Sequence, residues 1–173
     1  MSNNATSPAP IANLRALRNT LVLGAIFLLL FAPRYTGFML MFVAPVFVCW
    51  LCASVFIIAC NPARRHLQSI KLAIWLGLFA AVGGIHAYRT WHTRVQADEI
   101  VAIVEKYSRE HGHCPTSLDE FGIDKAELSS RLSMAYYVCD AGIEPHLAYG
   151  VPTVPFDMYS YDFKTKRWRY RGG

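Results

Sequence analysis

No aspartate or glutamate precedes position 98 of this 173-residue chain; all twelve acids lie between Asp98 and Asp162. The first 97 residues hold eight bases, Arg15, Arg18, Arg34, Arg64, Arg65, Lys71, Arg89 and Arg94, set mostly at the ends of long apolar runs. A carboxylate is costly inside a bilayer, whereas arginine and lysine at helix ends reach the headgroups. The asymmetry therefore predicts two solvents: lipid for the N-terminal part, water for the C-terminal part. It also removes the simplest reading of the formal charge of +5. Between residues 98 and 162 the twelve acids meet only Lys106, Arg109, Lys125 and Arg131, so no nucleic-acid partner is expected.

Three apolar runs predict three transmembrane helices, over about 19–33, 38–60 and 72–88, after a small, polar, disordered cytoplasmic tail at 1–18. The first run has 15 residues, about 22 Å of helix against a hydrocarbon core of roughly 30 Å. Arg18 and Arg34 at its ends can snorkel. A signal peptide has a similar layout, but Ala-Pro-Arg-Tyr follows and offers no small-x-small cleavage site. The second run carries Pro45 and ends at Asn61-Pro62. In the third, Gly77 with Ala81 and Ala80 with Gly84 fall at four-residue spacing, which allows close helix–helix association. With the N-terminus inside, five bases near the membrane are cytoplasmic (Arg15, Arg18, Arg64, Arg65, Lys71) and three are not (Arg34, Arg89, Arg94). The excess of positive charge inside places the C-terminal domain, 89–173, in the periplasm of a bacterial inner-membrane protein.

That orientation bears on cysteine. Cys114 and Cys139 are the only cysteines outside the apolar runs, and in an oxidising compartment they are expected to form a disulfide. The domain itself reads as α+β. Apolar residues at Ala97, Ile100, Val101, Val104 and Tyr107 recur with helical period over 96–111, and Gly112 and Pro115 end the helix. Only Gly83-Gly84 interrupts the stretch from Leu72 to His111, so the third membrane helix is expected to continue into the amphipathic one as one rod. Ser117-Leu-Asp-Glu120 has the form of a capping box, and Asp124-Lys-Ala-Glu127 starts a helix to about Leu132. Then the period changes to two: 135–139, 146–151, 159–163 and 167–170 read as strands of a small antiparallel sheet, with Lys164-Thr165 at a hairpin tip.

The segment Tyr107-Ser-Arg-Glu-His-Gly112-His-Cys-Pro115-Thr-Ser117-Leu118, closing a long helix that is apolar first and amphipathic later, resembles the helix exit of type IV pilins and type II secretion pseudopilins. The resemblance covers about residues 70–170 and implies a helix packed on a small antiparallel sheet. Those families begin with a cleavable leader and a single hydrophobic helix bearing an early glutamate. This chain has two preceding apolar runs and no early acid, so the resemblance implies a pilin-like head on a polytopic anchor rather than a filament subunit.

Chemistry-bearing motifs are sparse. Cys49-Trp-Leu-Cys52 is a C-x-x-C, and with Cys114 and Cys139 it resembles the two cysteine pairs of membrane thiol oxidases; its mid-span position argues for small apolar residues instead. His111, His113, Cys114 and His146 could be assembled into a metal site, but His111 suits a helix C-terminus and Cys114 a disulfide. His86 lies near the outer end of the third run. Asp98/Glu99 and Asp119/Glu120 stand at helix-surface or capping positions, so no catalytic pair, cofactor or metal is expected. The remaining candidate is an interaction surface near the C-terminus: Tyr159, Tyr161, Lys166, Arg167, Trp168, Arg169 and Tyr170. The expected function is a non-catalytic membrane protein with a periplasmic interaction domain for an envelope partner, linked to pilus or secretion assembly. An immunity-type protein that binds a toxin is one alternative, and a membrane thiol-disulfide oxidase using Cys49 and Cys52 is the other.

Overall fold

The computed structural model describes residues 10–140 and 144–172. The chain divides into two compact units, residues 1–85 and 86–173. Three helices make the first unit: α1 (Pro10–Phe31), α2 (Leu40–Cys60, preceded by a short 3-10 turn at Gly37–Met39) and α3 (Pro62–His111), whose residues from 86 onward belong to the second.

Local chemistry explains the ends. Thr36 caps the last turn of α1, its hydroxyl donating to the carbonyls of Phe31 (3.0 Å) and Pro33 (2.9 Å). Asn61 is extended (φ −126°, ψ 91°), the conformation that a following proline imposes. Pro62 is then the first residue of α3, where a missing N–H removes no helical bond. The guanidinium of Arg65 donates to the Ile58 carbonyl at 2.9 Å and so covers the free end of α2.

α1 runs alongside α3 in the same direction. Leu17 lines a cleft with Ala63, Leu67 and Ile70, a Cβ on Gly24 would stand 2.7 Å from Leu78 Cδ1, and the Phe27 ring lies 4.8 Å from Phe79. α2 returns antiparallel between these levels, with Gln68 donating to Ser54 at 2.8 Å, Trp50 6.3 Å from Trp75 and Phe47 stacked on Phe79 at 3.9 Å. Elsewhere the apolar side chains face outward: Leu29 and Met41 are 75% exposed. Exposed apolar surface of this kind is compatible with a membrane around the helices.

Among the described residues two helices, not the expected three, are long and apolar enough to cross a membrane: Gly37–Cys60 and α3. The apolar part of α1 is only Leu17–Phe31, with Arg15 before it and Pro33 after it. α1 begins at Pro10, inside the tail expected over 1–18, and residues 1–9 of that tail lie outside the described residues. The small residues Gly77, Ala80, Ala81 and Gly84 are exposed, and a Cβ at Gly77 or Gly84 would touch nothing within 4 Å. The close approach is made at Gly24 instead.

In the second unit α3 continues without a break at Gly83-Gly84 and stops at His111, where Gly112 turns left-handed (φ +75°). After a 3-10 turn, Asp119–Phe121, comes α4 (Lys125–Leu132), capped by the Asp124 carboxylate, which accepts the Glu127 N–H at 2.7 Å. The expected capping box at Ser117 is not formed. Its hydroxyl engages Asp119 two residues on, accepting the backbone N–H (3.1 Å) and donating to the carboxylate (2.7 Å). Four strands follow, β1 (Tyr136–Val138), β2 (His146–Gly150), β3 (Met158–Asp162) and β4 (Arg167–Arg171), antiparallel and in chain order. Ala97, Ile100, Val101 and Val104 of α3 pack with Leu118, Ile123, Leu128, Leu132, Leu147, Tyr149 and Tyr161 as the core.

Candidate functional site

The β3–β4 hairpin sorts the C-terminal residues by strand alternation. Tyr159 pairs with Tyr170 and Tyr161 with Trp168, so these four share one face, and their rings meet at 5.4 and 5.1 Å. This face carries the packing against α3. Tyr161 is in the core, and Tyr159 and Trp168 pack against it. Trp168 Nε1 donates to Asp98 at 2.7 Å, and the Arg94 guanidinium stands over the same indole at 4.6 Å while pairing with Asp98 at 3.3 Å. The Tyr161 hydroxyl donates to Glu105 at 3.0 Å; burial first, and that carboxylate second, push it up to about 12. Three of the seven surface candidates, Tyr159, Tyr161 and Trp168, are thus spent on packing. Tyr170 is more than half exposed, and its hydroxyl donates to Asp157.

The opposite face is basic. Arg167, Arg169 and Arg171 are all exposed and alternate with Trp168 and Tyr170. Strand geometry spaces them at about 6.6 Å. Beside them lie Ser160 and Ala148, small and buried, and His146. Arg169 pairs with Asp162 at 2.5 Å. Asp162 also braces the turn, its Oδ1 accepting the N–H groups of Lys164 (3.0 Å) and Thr165 (2.9 Å), while Lys166 takes the left-handed conformation (φ 52°) that glycine usually supplies. The Thr165 bonds come first, and Arg169 helps, in holding this carboxyl below its usual range. Burial, and then the charge of Arg171, hold the His146 imidazole below its ordinary pKa. Arg171 extends the surface expected from sequence. Strict alternation from Arg167 to Arg171 was the available signal for it. Phe156, 84% exposed between β2 and β3, carries no comparable sequence signal.

Lys166 belongs to a different place. With Arg109 it flanks Glu105, each at 3.9 Å, in a cleft of about 410 Å³ that also takes in Cys114, Glu144 and Phe163. Cys114 and Cys139 form a disulfide, with Cα atoms 6.2 Å apart and within the usual bridging range. It ties the exit of α3 to the end of β1. The Tyr137 hydroxyl donates to the Pro115 carbonyl at 2.9 Å beside it and is pushed up to about 12 by burial.

The other candidates are dispersed. Cys49, Cys52 and Cys60 are free and exposed on α2. His111 stacks on Tyr107 at 4.1 Å, while the Nε2 of His146 lies 3.1 Å from the Tyr136 hydroxyl. Among the described residues no three His, Cys, Asp or Glu side chains are grouped to hold a metal ion. Asp98 and Asp119 are engaged as described, in packing and in a turn. No family model, curated protein or solved structure matches the chain.

Proposed function

We propose that this chain is a non-catalytic protein of the bacterial inner membrane that presents a periplasmic interaction domain to an acidic envelope partner. α2 and α3 cross the bilayer with α1 packed beside them, and the α2–α3 turn faces the cytoplasm. Support for the orientation comes from charge: Arg64, Arg65 and Lys71 lie at or near that turn, and Leu17, adjoining Arg15 and Arg18, lies at the same end of the bundle. Support for the compartment comes from the disulfide, which persists under oxidising conditions.

The observation that carries the function is the outward row Arg167, Arg169 and Arg171 on an edge strand. Charges on an edge discourage sheet-to-sheet aggregation, and three arginines at regular spacing also make a surface for paired recognition of carboxylates. The partner is an assembly component of the pilus or secretion type. The exposed stripe Gly77, Ala80, Ala81 and Gly84 leaves room for a neighbouring helix. A photo-crosslinking residue at position 169 in cells should trap a discrete partner, and the same residue at position 125 should not. Arg167→Ala with Arg171→Ala should abolish the product. Undiminished product in that double variant refutes the surface, and a crosslinked toxin would move the chain to the immunity class. Labelling of position 169 from the cytoplasm alone refutes the orientation.

A further inference from the structure

We propose that the helix bundle holds one anionic phospholipid, with its phosphate at Arg64 and Lys71 and an acyl chain among the aromatic rings of α1, α2 and α3. Two cavities open beside the helices of the bundle. One, of about 660 Å³, is lined by Leu17, Arg64, His66, Gln68 and Lys71 among others. The second, of about 390 Å³, is lined by Phe27, Phe47, Trp50, Trp75 and Phe79, with Thr20 and Lys71 on its wall. Both volumes fall within the roughly 300–1,000 Å³ of small-molecule sites. Lys71 is the side chain common to the two.

The absence of acids before Asp98 decides what fits. Lys71 and Arg64 flank a cavity in a unit without one carboxylate, so their counter-charge comes from outside these residues. Arg65 differs, because the Ile58 carbonyl occupies its guanidinium. Free phosphate would answer the cations and leave the aromatic cavity unfilled. A neutral lipid would do the reverse. An amphiphile with a phosphate head and an acyl chain fills both, and basic pockets between membrane helices recognise such heads. The inference rests on the reading that the bundle sits in a bilayer.

The full chain in neutral detergent, offered phosphatidylglycerol and phosphatidylcholine of identical chains at equal concentration, is read by native mass spectrometry. Phosphatidylglycerol should be retained in preference. Lys71→Gln and Arg64→Gln should each lower its occupancy about fivefold, Lys71→Arg should preserve it, and Lys125→Gln in the other unit should change nothing. Equal retention of the two lipids, or variants indistinguishable from the parent, overturns the proposal. Displacement by glycerol phosphate at matched concentration overturns the acyl-chain half. Alkaline extraction of cell membranes tests the premise separately: a chain that washes out was never embedded, whereas one that stays but shows no headgroup preference refutes the lipid site alone.

Discussion

Replacing Cys114 and Cys139 together by serine tests how much of the head's stability is covalent. The bridge joins residues 25 apart, and the loop entropy removed from the unfolded chain is then worth about 3.5 kcal/mol. The affected part is small: 88 residues from His86 to Gly173, a size at which one core is marginal. At about 1.4 kcal/mol per factor of ten, amides that exchange only by opening of the whole head should exchange about 300-fold faster. Leu147 and Tyr149, paired with Tyr161 and Tyr159 at the sheet centre, are such amides. Hydrogen exchange by mass spectrometry on the full chain, with and without reductant, reads this directly. Reductant should reproduce the variant's acceleration in the parent and add nothing to the variant, while α2 amides stay unchanged. Acceleration below about tenfold would refute the entropic reasoning. Reaction of parental Cys114 with a thiol reagent before reduction would refute the bond.

Other consequences follow from single contacts. Tyr161→Phe removes the hydroxyl that donates to Glu105 at 3.0 Å; a loss of about 1–2 kcal/mol in denaturant unfolding is expected, with the Arg109 and Lys166 pairs left to hold the carboxylate. His146 has its pKa lowered on folding, so the unfolded chain takes up protons first. Stability should therefore be level above the unfolded value of about 6.5 and fall as pH drops from there through the lower folded value; His146→Gln should flatten that part of a stability-against-pH curve. In the bundle, Ser54→Ala leaves Gln68 without its 2.8 Å acceptor and should cost about 0.6 kcal/mol, at most about 1.7, in detergent unfolding.

What could be read from the sequence was what depends on neighbours in sequence. The Asp124 cap, the Asn61-Pro62 break and the change to period two each act within a few residues, and the helices and strands fall within a residue or two of expectation at those places. The start of α1 was hidden because residues 10–16 offer only Ile11 and Leu14 as large apolar side chains, too few to fix a period. Tyr159, Tyr161 and Trp168 could be put on one face of a hairpin, but whether that face met solvent or α3 depended on Asp98 and Glu105, more than fifty residues away. The four-residue spacing of glycine and alanine could not name its neighbour for the same reason. Four-residue spacing marks a face able to pack closely, whereas Gly24, alone on α1, is the position that Leu78 approaches. The adjoining cavities at Lys71 were illegible because three separated segments build them.

The chain-order meander has a consequence for synthesis. Each strand pairs with the one made just before it, so the sheet can grow by successive hairpins as the chain emerges, with little loop entropy to overcome at each step. The α3 face of Ala97, Ile100, Val101 and Val104 fares differently. Its partners in the sheet are made late, and the bond from Trp168 to Asp98 spans 70 residues. During translation that apolar face waits uncovered until β3 and β4 are made, which leaves the nascent head open to wrong contacts in the interval.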